Sequence, residues 1–246
     1  MRARNQDYCT HYATEEAMLL TVADGMGGYF GGELAAAIAV GSLLHGFCEE
    51  AKPKLAEPGK FLDRAIGRAH VAIGAYANAR TLPEVPRTVI VACVVQDGCA
   101  WWSHVGDSRL YLVRDGRIEA RTRDHTAVQD LVDAGRIAEG AVFRHPESTR
   151  VRQSLGGPVT PVPGPGACAR LQKDDILLLC SDGFWGPLEP SQLLQGLMGR
   201  PIAQSIAELS ALAERRADAR ADNLTALAVH WNEDAAAPSP LPETAG

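Results

Sequence analysis

The sequence predicts an α+β fold in which helices pack outside a pair of antiparallel sheets. Two observations carry this. The middle of the chain holds short β-branched runs joined by Asp-Gly turns, and helix-patterned stretches come as two pairs framing the β-rich parts. A third makes a real core expected: of 246 residues, 46% are hydrophobic and 22% charged. One large domain is the simplest division of that length.

Taken in order, Met18–Ala23 is a short apolar run that reads as a buried strand. From Gly31 to about Cys48 the chain is alanine- and leucine-rich with helical spacing, and Pro53 and Pro58 end it. A second helix is expected near Phe61–Ala79, where Ile66, Ala69, His70, Ile73 and Ala77 form one stripe. Thr88–Val95 is continuous and β-branched; Asp97-Gly98 turns it into Ala100–Val105. Arg109–Val113 likewise returns through Asp115-Gly116 into Arg117–Arg121. Asp-Gly between such runs signals a hairpin, because a type I′ turn needs positive φ at both central residues. Thr126–Arg152 reads as a helix followed by a polar, exposed segment, and Val159–Gly166 as a proline-glycine loop. Strands follow at Ala167–Leu171 and Ile176–Cys180, helices at Pro190–Met198 and Pro201–Ala217, and a last strand at Leu224–Trp231. The tail, 232–246, is rich in proline and alanine, offers nothing to bury, and is expected to be disordered.

The formal net charge of −6, without a lysine- or arginine-rich block, disfavours a nucleic-acid or anionic-membrane surface. The start, MRARNQD, has no apolar stretch behind its basic residues, so no secretory signal is expected. No run approaches the roughly 18 apolar residues of a membrane span. The six cysteines show no CxxC and read as reduced core residues, which suits a cytoplasmic protein.

Four Asp-Gly dipeptides occur, and two of them are not hairpin turns. Asp24-Gly25 and Asp182-Gly183 each close an apolar run, LLTVAD and ILLLCSD. A carboxylate there is costly unless it is paired or coordinates a cation. Asp222 before the final strand and Asp107 in HVGDSRLY add two more. With no His/Cys cluster at ligand spacing, an all-oxygen site for Mg²⁺ or Mn²⁺ remains. Asp24 would bridge metals, Gly25 would lend its carbonyl, and Gly27-Gly28 would keep the surface clear for substrate. Each aspartate also has a plain explanation. Asp24 could cap the following helix, Asp222-Asn223 could turn before an edge strand, and Ser108-Arg109 next to Asp107 could be surface.

Seven motifs now stand in one order: RARNQD (Arg2–Asp7), VADGMGG (Val22–Gly28), GDSRLY (Gly106–Tyr111), DHT (Asp124–Thr126), SLGG (Ser154–Gly157), CSDGFW (Cys180–Trp185) and DNLTAL (Asp222–Leu227). Over residues 2–231 the chain resembles the type 2C metal-dependent protein serine/threonine phosphatases, bacterial branch. The resemblance implies a four-layer α-β-β-α sandwich, two antiparallel sheets flanked by helix pairs, as a single catalytic domain over 1–231 with a flap at about 127–150. It implies that Asp24, Asp182 and Asp222 hold a first Mn²⁺ or Mg²⁺, and that Asp24 and the Gly25 carbonyl hold a second. Asp107 with Asp182 would hold a weaker third ion, and Asp7 would act through a metal water. Arg2 would grip the substrate phosphate beside Gly27 and Gly28. A water shared by two ions would then hydrolyse phosphoserine or phosphothreonine with no phosphoenzyme.

Phosphorylated proteins and a cognate Ser/Thr kinase are the partners implied, with a monomeric cytoplasmic enzyme in signal transduction. Met26 stands where eukaryotic relatives put a histidine proposed as general acid, so the leaving-group proton would come from a metal-bound water or another residue. Gln6 replaces a common glutamate. That change motivates a second reading, a phosphoprotein-binding module of the same fold with little catalysis. A third is a phosphatase serving a regulatory partner switch.

Overall fold

The computed structural model describes residues 5–26, 30–148, 150–217 and 222–232. Arg2, Gly27, Gly28 and the tail beyond Asn232 lie outside the described residues.

Among the described residues, nine strands form two sheets. β1 (Asp7–Ala13), β2 (Ala17–Gly25), β3 (Thr88–Gln96), β4 (Cys99–Val105) and β7 (Ala167–Arg170) make one, in the order β1-β2-β3-β4-β7. β5 (Arg109–Arg114), β6 (Arg117–Arg121), β8 (Ile176–Cys180) and β9 (Ala226–His230) make the other, in the order β6-β5-β8-β9. Every neighbouring pair is antiparallel. Both Asp-Gly hairpins turn as expected, with φ of 50° and 68° at Asp97-Gly98 and 48° and 71° at Asp115-Gly116.

Side-chain parity sorts the core into three layers. In β2 and β3, Leu19, Ala23, Ile90, Ala92 and Val94 face α1 (Gly32–Glu50) and α2 (Pro58–Ala79), where Phe47 and Phe61 meet edge-on with centroids 6.0 Å apart. The alternate residues Leu20, Val22, Val91 and Cys93 turn the other way and meet Leu110, Leu112, Leu177 and Leu179 between the sheets. The outer face of the second sheet, through Tyr111, Val113, Leu178 and Cys180, packs on α4 (Asp182–Trp185), α5 (Pro190–Leu197) and α6 (Ile202–Ala217). Together these layers give the expected four-layer α-β-β-α sandwich.

Three details differ from the sequence reading. β1 was not expected as a strand: its burial runs exposed through Tyr8, Cys9, His11 and Tyr12, as suits a sheet edge, so no apolar alternation marks it. Cys9 is therefore exposed rather than a core residue, although all six cysteines are free. The expected helix after Thr126 is short, α3 (Ala127–Asp133), capped by the Thr126 hydroxyl accepting from the Gln129 N–H. Beyond it the chain runs through a 3₁₀ turn at Glu139–Ala141 and bends.

Candidate active site

Antiparallel order brings five strand ends to one edge of the sandwich. Asp7 opens β1 and stands directly opposite Asp24 near the end of β2. Pleat parity turns Asp24 inward with Leu20 and Val22, toward the second sheet. Asp107 lies two residues past β4 and two before β5, whose first residue Arg109 is opposite Cys180 at the end of β8. Asp182 starts α4, and Asp222 precedes β9, whose Ala226 also pairs with Cys180. Aspartates distant in sequence thus share one cleft between the sheets.

Hydrogen bonds fix this edge. The Ser181 hydroxyl donates to Asp7 Oδ2 at 2.8 Å and accepts from the Thr225 N–H at 3.0 Å. The Gln6 N–H donates to Asn223 Oδ1 at 2.9 Å, tying the first strand to the loop before the last. Thr88 Oγ1 donates to the Asp24 carbonyl at 2.7 Å, and the Trp185 indole donates to the Asp107 carbonyl at 3.0 Å. Two glycines are required by close approach: a Cβ on Gly25 would run into the Gly32 backbone, and one on Gly183 into the Asn223 carbonyl.

The electrostatics are those of crowded like charges. Burial, then Asp182, Asp7, Asp107 and Asp222 in turn, push the Asp24 carboxyl well above its usual range. Asp182 is raised to about 6, chiefly by burial and then by Asp222. Burial also raises Asp7 and, with Asp182 and Asp124 adding to it, raises Asp107 well above normal. Asp7 Oδ1 and Asp182 Oδ1 are buried with no hydrogen-bond partner among the described residues.

These features fit a divalent cation. The donors are all oxygen, two of those oxygens lack a partner, and the repulsion is of the sign a cation relieves. Among the described residues no three or more His, Cys, Asp or Glu side chains stand in an arrangement that could hold a metal ion as they are. The fit therefore rests on charge, burial and unanswered oxygens rather than on a closed cage.

Two plain explanations for the aspartates fail. The residue capping α1 is Gly31 with φ 71°, not Asp24. Ser108 and Arg109 are buried, not surface. Arg109 holds Asp124 with Nε and Nη2 at 2.8 and 2.6 Å, donates to the Tyr111 hydroxyl at 2.9 Å, and lies 3.4 Å over the Trp185 ring. Sequence reading missed this network; its signal was the arginine two residues past Asp107 and the aspartate of DHT. His125 supports the same loop: its Nδ1 accepts from the Gly106 N–H at 3.3 Å, and burial pushes it down to about 4.

The protein phosphatase 2C family profile matches residues 2–227. The chain is 34% identical over 216 residues to the serine/threonine protein phosphatase PstP of Mycobacterium tuberculosis, covering 87% of this chain and 40% of that protein. It thus spans well under half of that relative's length. A putative 2C-type protein phosphatase of Streptococcus pyogenes is 29% identical, with 93% and 92% covered. Among solved structures, the M. tuberculosis phosphatase PstP/Ppp superposes with a TM-score of 0.80 at 32% identity, covering 95% and 94%. The PstP catalytic domain in complex with two manganese ions gives 0.75 at 32%, with 94% of each chain covered. A profile spanning the sandwich and all five aspartates leaves one conclusion: the chain belongs to the protein phosphatase 2C family.

Proposed function

We propose that the protein hydrolyses phosphoserine and phosphothreonine in proteins, reversing a bacterial Ser/Thr kinase, as a monomeric cytoplasmic enzyme. One observation carries the reading: five aspartates meet at one edge, burial and mutual repulsion raise the carboxyls of Asp7, Asp24, Asp107 and Asp182, and two oxygens have no donor among the described residues. The manganese-bound PstP relative supports the choice of ion. On this reading residues 1–231 are one catalytic domain with a flap at about 127–150.

Asp24, Asp182 and Asp222 would hold one Mn²⁺ or Mg²⁺, Asp24 and the Gly25 carbonyl a second, and Asp107 with Asp182 a weaker third. When bound, such ions acidify water and neutralise phosphoryl oxygens. The protein's own part is placement. Ser181, fixed by Thr225, orients Asp7 toward the cleft; Thr88 pins the Asp24 backbone; Trp185 pins Asp107. Arg2 would fork onto the phosphate, with Gly27 and Gly28 leaving it room. Cys180, two residues before Asp182, is buried and its pKa is pushed far up, so it stays a thiol and offers no nucleophile.

The test is hydrolysis of p-nitrophenyl phosphate and of a phosphothreonine peptide with Mn²⁺. Asp24→Asn is expected to lower kcat/KM by about 10³-fold, roughly 4 kcal/mol of transition-state stabilisation. Activity within tenfold of the parent would remove Asp24 from the site.

A further inference from the structure

A cavity lies not at the aspartates but behind them, on the outer face of the second sheet. It measures about 870 Å³ and is lined by Gly140, Phe143 and Arg144, by Pro190 and Leu193 of α5, and by the buried Arg109, Tyr111 and Trp185. That volume falls in the range of roughly 300–1,000 Å³ typical of small-molecule sites, and most of its lining is apolar, including Phe143 and Leu193.

Its charges are unequal and mostly committed. Four arginines line it against two glutamates. Arg109 is held by Asp124, Arg121 pairs with Glu139, and Arg216 reaches Gln192. Glu189 is used in the reciprocal cap of α5. Arg144, exposed at the mouth, has no ion-pair or hydrogen-bond partner among the described residues. An apolar chamber with one uncommitted cation at its entrance selects an apolar body with one anionic head.

We propose that this cavity binds a small amphiphilic anion, an aromatic or aliphatic body carrying a single carboxylate or sulfonate, with the head on Arg144 and the body between Phe143, Leu193 and Trp185. The occupant would sit one side chain from the acidic cleft, because Trp185 forms the wall and also donates to the Asp107 carbonyl. The proposal does not depend on the phosphatase reading.

The probe is 8-anilinonaphthalene-1-sulfonate, titrated into the full chain by fluorescence, with laurate as competitor. Expected is saturable one-to-one binding, displaced by laurate, weakened about tenfold by Arg144→Gln and largely restored by Arg144→Lys. Ile118→Trp, from a half-buried position on β6, should obstruct the chamber and also weaken binding at least tenfold. Asp24→Asn should bind the probe as the parent does, placing the site outside the cleft. Unsaturable binding, equal affinity in Arg144→Gln and Ile118→Trp, or loss in Asp24→Asn would each overturn the proposal.

Discussion

Strand β8 has a fully buried aspartate just before it and, two residues after it, a half-buried one with a buried oxygen, and the fold treats them in opposite ways. Asp175, fully buried, takes a bidentate guanidinium from Arg114 at 2.9 and 2.7 Å and a backbone N–H from Gln172 at 2.8 Å. Asp182 faces Asp24, Asp222 and Asp7, and one of its oxygens has no donor among the described residues. Arg109 and Asp124 repeat the first solution close enough to the cleft to act on the Asp107 carboxyl. A chain that twice answers a buried carboxylate with an arginine leaves Asp7 Oδ1 and Asp182 Oδ1 without a donor among the described residues. The contrast teaches that burial alone does not mark a site; burial without an answering donor does.

Asp182→Asn should show the largest effect: activity with Mn²⁺ falls about 10³-fold, while the chelator-treated protein gains of order 1 kcal/mol because a repelling charge is gone. Asp175→Asn should do the reverse. Breaking a buried pair strands Arg114, and chemical denaturation should record a loss of about 3–5 kcal/mol, with kcat/KM unchanged in the fraction that remains folded. Similar behaviour of the two variants would erase the distinction between the two ends of β8.

Acidity sharpens the same contrast. Raised carboxyls favour the folded, metal-free protein when protonated, so their contribution is full below the ordinary carboxylate range and fades as pH rises through about 6. Divalent ions compete with those protons. Mn²⁺ at about 100 times its dissociation constant should therefore add about 2.7 kcal/mol at pH 7, or roughly 5–10 °C in Tm. Near pH 4.5 the gain should be almost nil. Calorimetric scans with and without Mn²⁺ at both pH values read this directly, and a pH-independent gain would mean the ion binds elsewhere. The smallest effect concerns Trp185→Phe, which keeps an aromatic ring under Arg109 and deletes the hydrogen bond to Asp107. About 1 kcal/mol of stability should go, with less than a tenfold change in activity.

Legibility followed local chemistry. The two hairpins could be read because Asp-Gly demands a backbone that few other dipeptides adopt. The strand-end aspartates could be read because a carboxylate closing LLTVAD or ILLLCSD contradicts its surroundings. β1 escaped because an edge strand owes its place to backbone pairing with β2 and carries no hydrophobic alternation of its own. The Arg109–Asp124–Trp185 cluster escaped for another reason. A long cationic side chain looks like surface until tertiary contacts show its charge enclosed and its face stacked. The convergence of the aspartates was expected from strand-end carboxylates and the family resemblance, whereas the chamber behind them is not local and only the packing of both sheets reveals it.

The Ser181 hydroxyl grips Asp7, 174 positions away, and the Gln6 amide grips Asn223 across 217. Those two stitches close the cleft only when residues from both ends of the chain are present. A nascent chain that has not yet reached Asp222 would carry four of the five acidic groups and no last strand to enclose them. A protein built this way is inert until synthesis has passed Thr225, and its first competent moment coincides with closure of the whole sandwich.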